Sequence, residues 1–213
     1  MRFFHGTLAV ALLGATSAAT EAGASFPSNV SPSVTVEQGV INGFVQNNTN
    51  VFLGIPFAQS TAGENRWKAP KPIDVFHGGR FDAGTYGPSC AQAMSGTTIT
   101  AQSENCLNLN IWTPLGDTKS NLPVFVYIYG GAMVTGGNSN AQWQGYTFAR
   151  KDVIYVNFNY RESIYASPNA PELQGESQNF GILDVELALG WVYNNIEGRY
   201  PFLVWRTELT RNV

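Results

Sequence analysis

The octapeptide QGESQNFG, residues 174–181, contains Gly175-Glu176-Ser177, the first half of the G-x-S-x-G pattern that raises a serine nucleophile on a tight turn. Such a turn needs a buried strand before the serine and a small residue on each side of it. Asn179 stands where the second glycine belongs, and the Pro-rich stretch ASPNAPELQ precedes the serine. Ser177 therefore reads as surface loop or helix entry. The stretch VFVYIYGGAMVTGG, residues 124–137, offers different chemistry: an apolar run ends in Gly130-Gly131-Ala132. Glycines there let backbone amides approach a bound carbonyl closely. A carbonyl under attack gains negative charge on oxygen, and two fixed N–H groups about 3 Å away stabilise it, each worth roughly a hundredfold in rate. On the dipeptide alone, a plain Gly-Gly turn is the commoner reading. The two histidines offer no base beside it: His5 is near the start, and His77 is in a Gly-rich loop well before the strand.

The chain has 213 residues, 44% hydrophobic and 13% charged, which suits one ordinary globular domain. Its net charge is −3 and the 12 Lys and Arg are scattered, so no basic stripe exists to meet a phosphate backbone and nucleic acid is excluded as a partner. Residues 1–18 read as a signal peptide, with Arg2, an apolar run from Thr7 to Leu13, and Thr16-Ser17-Ala18 as a cleavable small-residue site. That run is much shorter than the roughly 20 residues that span a bilayer, so the chain is expected to be secreted to the extracellular space without a membrane span. In an oxidising compartment Cys90 and Cys106, the two cysteines, are expected to pair rather than remain buried thiols. Their bridge would close a loop of about 15 residues, worth roughly 3 kcal/mol in the chain-entropy model. Asn29-Val30-Ser31 and Asn47-Asn48-Thr49 are glycosylation sequons, the first followed by Pro32.

The elements that must position the glycine turn follow from periodicity. Residues 19–33 are a Ser/Pro linker, after which short β-prone runs at Val34–Val36, Gly43–Val45 and Val51–Leu53 alternate with turn residues as a small antiparallel edge. Arg66–Pro72 is a Pro-containing loop, and Phe81–Asn105 reads as loop-rich surface. Asn108–Trp112, Val124–Tyr129 and Val153–Asn157 are dense in Val, Ile and Tyr on nearly both faces, as in covered sheets. Gln142–Arg150 has helical spacing. Ile182–Ile196 predicts a buried helix with Ile182, Leu183, Leu187, Trp191 and Val192 on one apolar face, widened by Val185 and Leu189. Strands separated by helical segments imply an α/β fold with a largely parallel sheet.

Six blocks occur in one order: VFLGIPFAQ (51–59), RWKAPKP (66–72), SENCLNLNIWTP (103–114), PVFVYIYGGAMVTGG (123–137), VNFNYR (156–161) and NFGILDVELALGWVYNNIEG (179–198). Together they resemble the type-B carboxylesterase family, which includes cholinesterases and fungal lipases, over residues 34–198. The resemblance implies the α/β-hydrolase fold and a small carboxylic ester substrate, with no metal or organic cofactor. It makes Gly131 and Ala132 the oxyanion donors, Ala132 standing where many members have a third glycine. It makes Cys90–Cys106 the family's first disulfide and Arg66 with Glu104 a structural ion pair near it, although two solvated charges is the plain alternative. Asn105 replaces the family's usual Asp. The loop AQAMSGTTITAQSEN between the cysteines has no aromatic residue, so it supports no choline cage, and it is short for an interfacial lid. A general esterase is the subclass that fits.

In the family pattern, F-G-G-D-P and a strand leading to the serine elbow follow the buried helix. Here the chain reads RYPFLVWRTELTRNV, and residues 199–213 read as a tail unrelated to the family. On this reading the fold is truncated before the elbow strand, none of the catalytic triad is present, and the polypeptide as written is expected to be inactive. An open sheet edge and uncovered apolar surface would favour aggregation. A retained intron or frameshift and a deliberately short secreted product are the competing origins. A non-catalytic binding or adhesion role on the same fold is the alternative function. Oligomeric state is not legible.

Overall fold

The computed structural model describes residues 31–92, 100–116, 121–173 and 179–196, and the backbone of 202–206. The expected signal peptide, the first sequon's Asn29 and Val30, and Gly175-Glu176-Ser177 lie outside the described residues.

The turn-rich N-terminal region forms β1 (Ser33–Val36), β2 (Gly39–Asn42), β3 (Phe44–Gln46) and β4 (Thr49–Pro56). Asn47 and Asn48, both at positive φ, make the two-residue turn that joins β3 to β4. β5 (Arg80–Asp82) adds in parallel to β2, and β1 pairs antiparallel on its other side. β6 (Ser89–Cys90) and β7 (Gln102–Ser103) form a short parallel ladder. The stretch expected to be surface loop is therefore partly internal: Ala83, Ser89 and Cys90 are buried. The disulfide and this ladder tie residues 89–90 to 102–106 in a stretch whose sequence has no period.

The remaining elements are β8 (Asn108–Pro114), β9 (Val124–Ile128), α1 (Tyr146–Ala149), β10 (Ile154–Phe158), α2 (Ser163–Ala166), α3 (Phe180–Asn195) and β11 (Phe202–Arg206). The main sheet has the order β11-β9-β10-β8-β4-β3. β9 runs parallel to β10 and β11, whereas β10, β8, β4 and β3 pair antiparallel in succession. The sheet is thus mixed rather than largely parallel. Parallel neighbours need a covering crossover, and among the described residues α-helices occur only after β9. The edge expected to stand open beside β9 is occupied by β11, from the tail after Gly198.

β8 and β10 are buried along almost their whole length, with Asn108, Asn110 and Asn157 buried among their apolar residues. β9 alternates buried Val124, Val126 and Ile128 with half-buried Phe125 and Tyr127. The expected helix at 142–150 is instead a 3-10 turn at Ala141–Trp143 and the single turn α1. Gly145 separates them, and a Cβ there would lie 2.5 Å from the Tyr155 ring, so this crossover is pressed onto the sheet.

α3 begins at Asn179, whose side chain accepts from the Ile182 amide. Its buried stripe is Gly181, Asp184, Val185, Ala188, Trp191 and Val192; Ile182, Leu183, Leu187 and Leu189 are half-buried. Val185, Trp191 and Val192 are buried as the apolar face predicts, whereas the rest of the stripe differs because Asp184 turns inward to a cation. A groove of about 350 Å³, lined by Val36, Ile41, Phe52, Ile111, Ile154 and Trp191 among others, remains between β1 and the end of α3.

Candidate functional site

From β9 the chain crosses to β10 on one side, and from β10 it crosses back to β11 on the other. Ligands in open α/β sheets bind beyond the carboxyl ends of strands where the winding direction reverses in this way. The segment Gly130–Gly136 leaves β9 at that place. Gly131 has φ 142°, and Ala132 and Met133 follow at 57° and 58°, both left-handed. The Val134 and Thr135 amides donate to the Gly131 carbonyl at 3.0 and 3.3 Å, closing the turn. Left-handed backbone costs a residue with a Cβ about 1–2 kcal/mol. A Cβ on Gly131 would lie 1.7 Å from the Thr135 carbonyl oxygen, so this position accepts glycine alone.

The same hydrogen bonds aim the amides. In a trans peptide the C=O and the following N–H point in opposite directions. The Gly131 carbonyl is held inside the turn, so the Ala132 N–H points out of it. The Gly130 carbonyl oxygen packs against Gly136, lying 3.2 Å from where its Cβ would be, and this sets the Gly131 N–H in the same manner. Among the described residues neither amide donates a hydrogen bond. Two adjacent donors are thereby fixed by the backbone at a strand end, an arrangement suited to a developing oxyanion.

Tyr160, Arg161 and Glu162, which follow β10, and Ser163 at the start of α2 stand beside this turn. The Ser163 amide donates to the Met133 carbonyl at 2.7 Å, and the Tyr160 hydroxyl donates to the Tyr129 carbonyl at 2.7 Å with the two rings stacked at 4.7 Å. Arg161 bonds Asp184 of α3 through Nε and Nη2 at 2.8 Å each, and its own amide donates to the same carboxylate at 2.9 Å. Its Nη1 donates to the Lys68 carbonyl and its plane lies over Phe180. Burial raises the Asp184 carboxyl above its ordinary value despite the pull of Arg161.

Glu162 is fully buried, and both of its oxygens lack a hydrogen-bond partner among the described residues, as does the Tyr129 hydroxyl near it. Burial pushes the Glu162 carboxyl up to about 8, only partly offset by the Tyr129 hydroxyl, and pushes Tyr129 well above its ordinary value. Sequence reasoning passed over Arg161, Asp184 and Glu162. A charge inside otherwise apolar blocks, at 161 and 184, was the available signal.

The other residues singled out in the sequence sit to one side. Cys90 and Cys106 are bonded, with Cα atoms 4.9 Å apart. Arg66 Nε donates to Glu104 Oε2 at 2.6 Å and Nη2 donates to Oε1, a bidentate pair with Arg66 lying over Trp67 and Tyr165. His77 is exposed in the turn before β5, in the three-stranded sheet. Among the described residues no cluster of His, Cys, Asp or Glu could hold a metal ion, and no helix is long and apolar enough to cross a membrane.

Comparison with known proteins agrees with this architecture. The model of the Carboxylesterase family matches residues 30–198. The fumonisin B1 esterase of Sphingopyxis macrogoltabida is 37% identical over 168 residues, covering 75% of this chain and 31% of that enzyme. A secreted lipase of Arthroderma benhamiae is 37% identical over 164 residues, covering 72% and 29%. The solved structure of a thermophilic PNB esterase superposes with a TM-score of 0.77 at 32% identity, covering 83% of this chain and 38% of that one. The chain thus spans about a third of the length of the relatives it matches. With a family match across residues 30–198, a close structural superposition and a strand-end turn that presents two amides, this chain belongs to the carboxylesterase family and carries part of its α/β-hydrolase fold.

Proposed function

We propose that the chain is the N-terminal portion of a secreted carboxylic ester hydrolase, in which the Gly131 and Ala132 amides bind the oxyanion of the acyl intermediate. The observation that carries this reading is the pair of backbone donors at the end of β9, aimed outward by carbonyls locked inside the turn. The amides would stabilise the charge as the ester carbonyl becomes tetrahedral, each contributing roughly a hundredfold or more. They supply no nucleophile. No G-x-S-x-G occurs in the 213 residues, so the serine, acid and histidine of the family reaction would come from sequence beyond these. The likeness to a secreted lipase and the leader-like residues 1–18 support export.

Sequencing the transcript across the codons for Gly198–Val213 tests the reading first. A spliced or corrected frame that continues into F-G-G-D-P and a serine elbow is expected, and the extended chain should react with a fluorophosphonate probe while the 213-residue chain does not. Labelling of the 213-residue chain itself would overturn the assignment, because it would place an activated serine among these residues. An unlabelled extended chain would favour the non-catalytic binding role.

A further inference from the structure

We infer that Gln92 is a positioning residue for the oxyanion turn, clamping it to the disulfide-bonded segment. The inference rests on the role proposed for Gly131 and Ala132.

Gln92 stands two residues after Cys90, and its backbone is held in place from three directions. Its amide donates to the Gln102 side chain at 3.0 Å, the preceding Ala91 amide donates to the Ser103 carbonyl, and Cys90 is bonded to Cys106. From this mount the carboxamide reaches across to the end of the turn. Its Oε1 accepts from the Gly136 amide and from the Thr135 hydroxyl, both at 2.7 Å. Its Nε2 donates to the Gly136 carbonyl at 2.7 Å and to the Cys90 carbonyl at 3.0 Å. The side chain thus pairs with Gly136 as a neighbouring strand's peptide would. Both donors and both acceptor directions of the amide are in use, and a flipped amide would set N–H against N–H at Gly136.

Thr135 and Gly136 are the residues against which the two donor-bearing peptides rest. The Thr135 amide donates to the Gly131 carbonyl, the Thr135 carbonyl packs on the Gly131 Cα, and Gly136 abuts the Gly130 carbonyl. Holding 135 and 136 therefore holds the planes that aim the Gly131 and Ala132 amides. The turn needs such a clamp because Ala132 and Met133 are left-handed and would relax without it. Gln92 touches no reacting atom; it acts through the turn.

Amide hydrogen exchange tests this on the 213-residue chain, with β8 and β10 as internal references for global stability. Gln92→Ala should lower protection of the hydrogen-bonded amides of 134–136 roughly tenfold or more while leaving 108–114 and 154–158 unchanged. Gln92→Glu separates the clamp from mere packing. Its carboxylate accepts from Gly136 and Thr135 but faces the Gly136 and Cys90 carbonyls without a proton to donate. Protection factors at 134–136 should therefore be near wild type where this carboxyl is protonated and fall as it ionises, with no such pH dependence in the wild type. Unchanged protection in Gln92→Ala, equal losses in the reference strands, or a pH-independent Gln92→Glu would each overturn the inference. Exchange is read apart from hydrolysis. An inactive extended chain whose turn responds to Gln92 leaves the clamp standing and removes the catalytic role; an active one whose turn ignores Gln92 does the reverse.

Discussion

The chain treats polarity in opposite ways at the carboxyl ends of two adjacent parallel strands. After β10, Arg161 turns inward and every face of its guanidinium meets a partner: Asp184 twice, the Lys68 carbonyl and the Phe180 ring. After β9, the backbone is bent through two left-handed residues so that the Gly131 and Ala132 amides meet no acceptor among the described residues. One end is satisfied and ties a helix to the sheet. The other is strained and keeps its donors available. The difference teaches that the structural and the receptive parts of this site are one turn apart and lean on each other, through the Ser163 amide bonded to the Met133 carbonyl.

The sharpest way to break the contrast is to remove the satisfied side. Asp184→Ala leaves Arg161 buried without its counter-charge, and a loss of about 3–5 kcal/mol is expected in urea unfolding. An unaltered midpoint would mean that α3 is held by its apolar stripe alone. Next is Glu162, the buried carboxyl that belongs to neither pattern. Its ordinary value of 4.5 is raised to about 8 in the fold. The folded chain therefore keeps a proton that the unfolded chain releases, so the stability this residue allows is full below pH 4.5 and is lost as pH rises through 8. Each displaced unit is worth about 1.4 kcal/mol, which makes the loss several kcal/mol across that window. Thermal scans at pH 5 and pH 8.5 should show it, and Glu162→Gln should flatten the profile; an equal slope in both proteins would assign the pH effect elsewhere.

On the strained side, Gly131→Ala forces its Cβ into the Thr135 carbonyl and should cost roughly 1–3 kcal/mol, with the change in exchange confined to 130–136. If exchange rises throughout the sheet instead, the turn is part of the core and not a separate device. The smallest effect is a gain: Ala132→Gly relieves a left-handed alanine and should stabilise by up to about 1 kcal/mol, the freer unfolded chain taking back part of the benefit. A loss on this substitution would show that the Ala132 methyl packs usefully.

Much of the scaffold could be read from residue types. β8, β9 and β10 stood out because strands in a covered sheet are dense in apolar and β-branched residues on nearly both faces, and α3 because its apolar residues recur at helical spacing. Gly131 and Ala132 stood out only through the ordered family blocks, because on the dipeptide alone a plain Gly-Gly turn is the commoner reading. Gln92 did not. It sits in a polar stretch without period, and a glutamine carries no signal of its target until the disulfide and the β6–β7 ladder place it 44 positions away, opposite Gly136. The Arg161–Asp184 pair was hidden for a related reason: apolarity placed Trp191, Val192 and Val185 on the buried face but also Leu183 and Leu187, where the structure buries Asp184 and Ala188 instead.

By itself the amino-acid sequence determined the strands β8 to β10 and the helix α3, where the glycine turn falls, and which family pattern the chain follows, because these depend on local period and residue size. Only the tertiary structure decided strand direction, the filling of the edge beside β9 by residues 202–206, the inward turn of Asp184 and the aim of the two amides. Those depend on hydrogen bonds and buried charges between residues far apart in the chain, whose free energy exists only when both partners have been brought together.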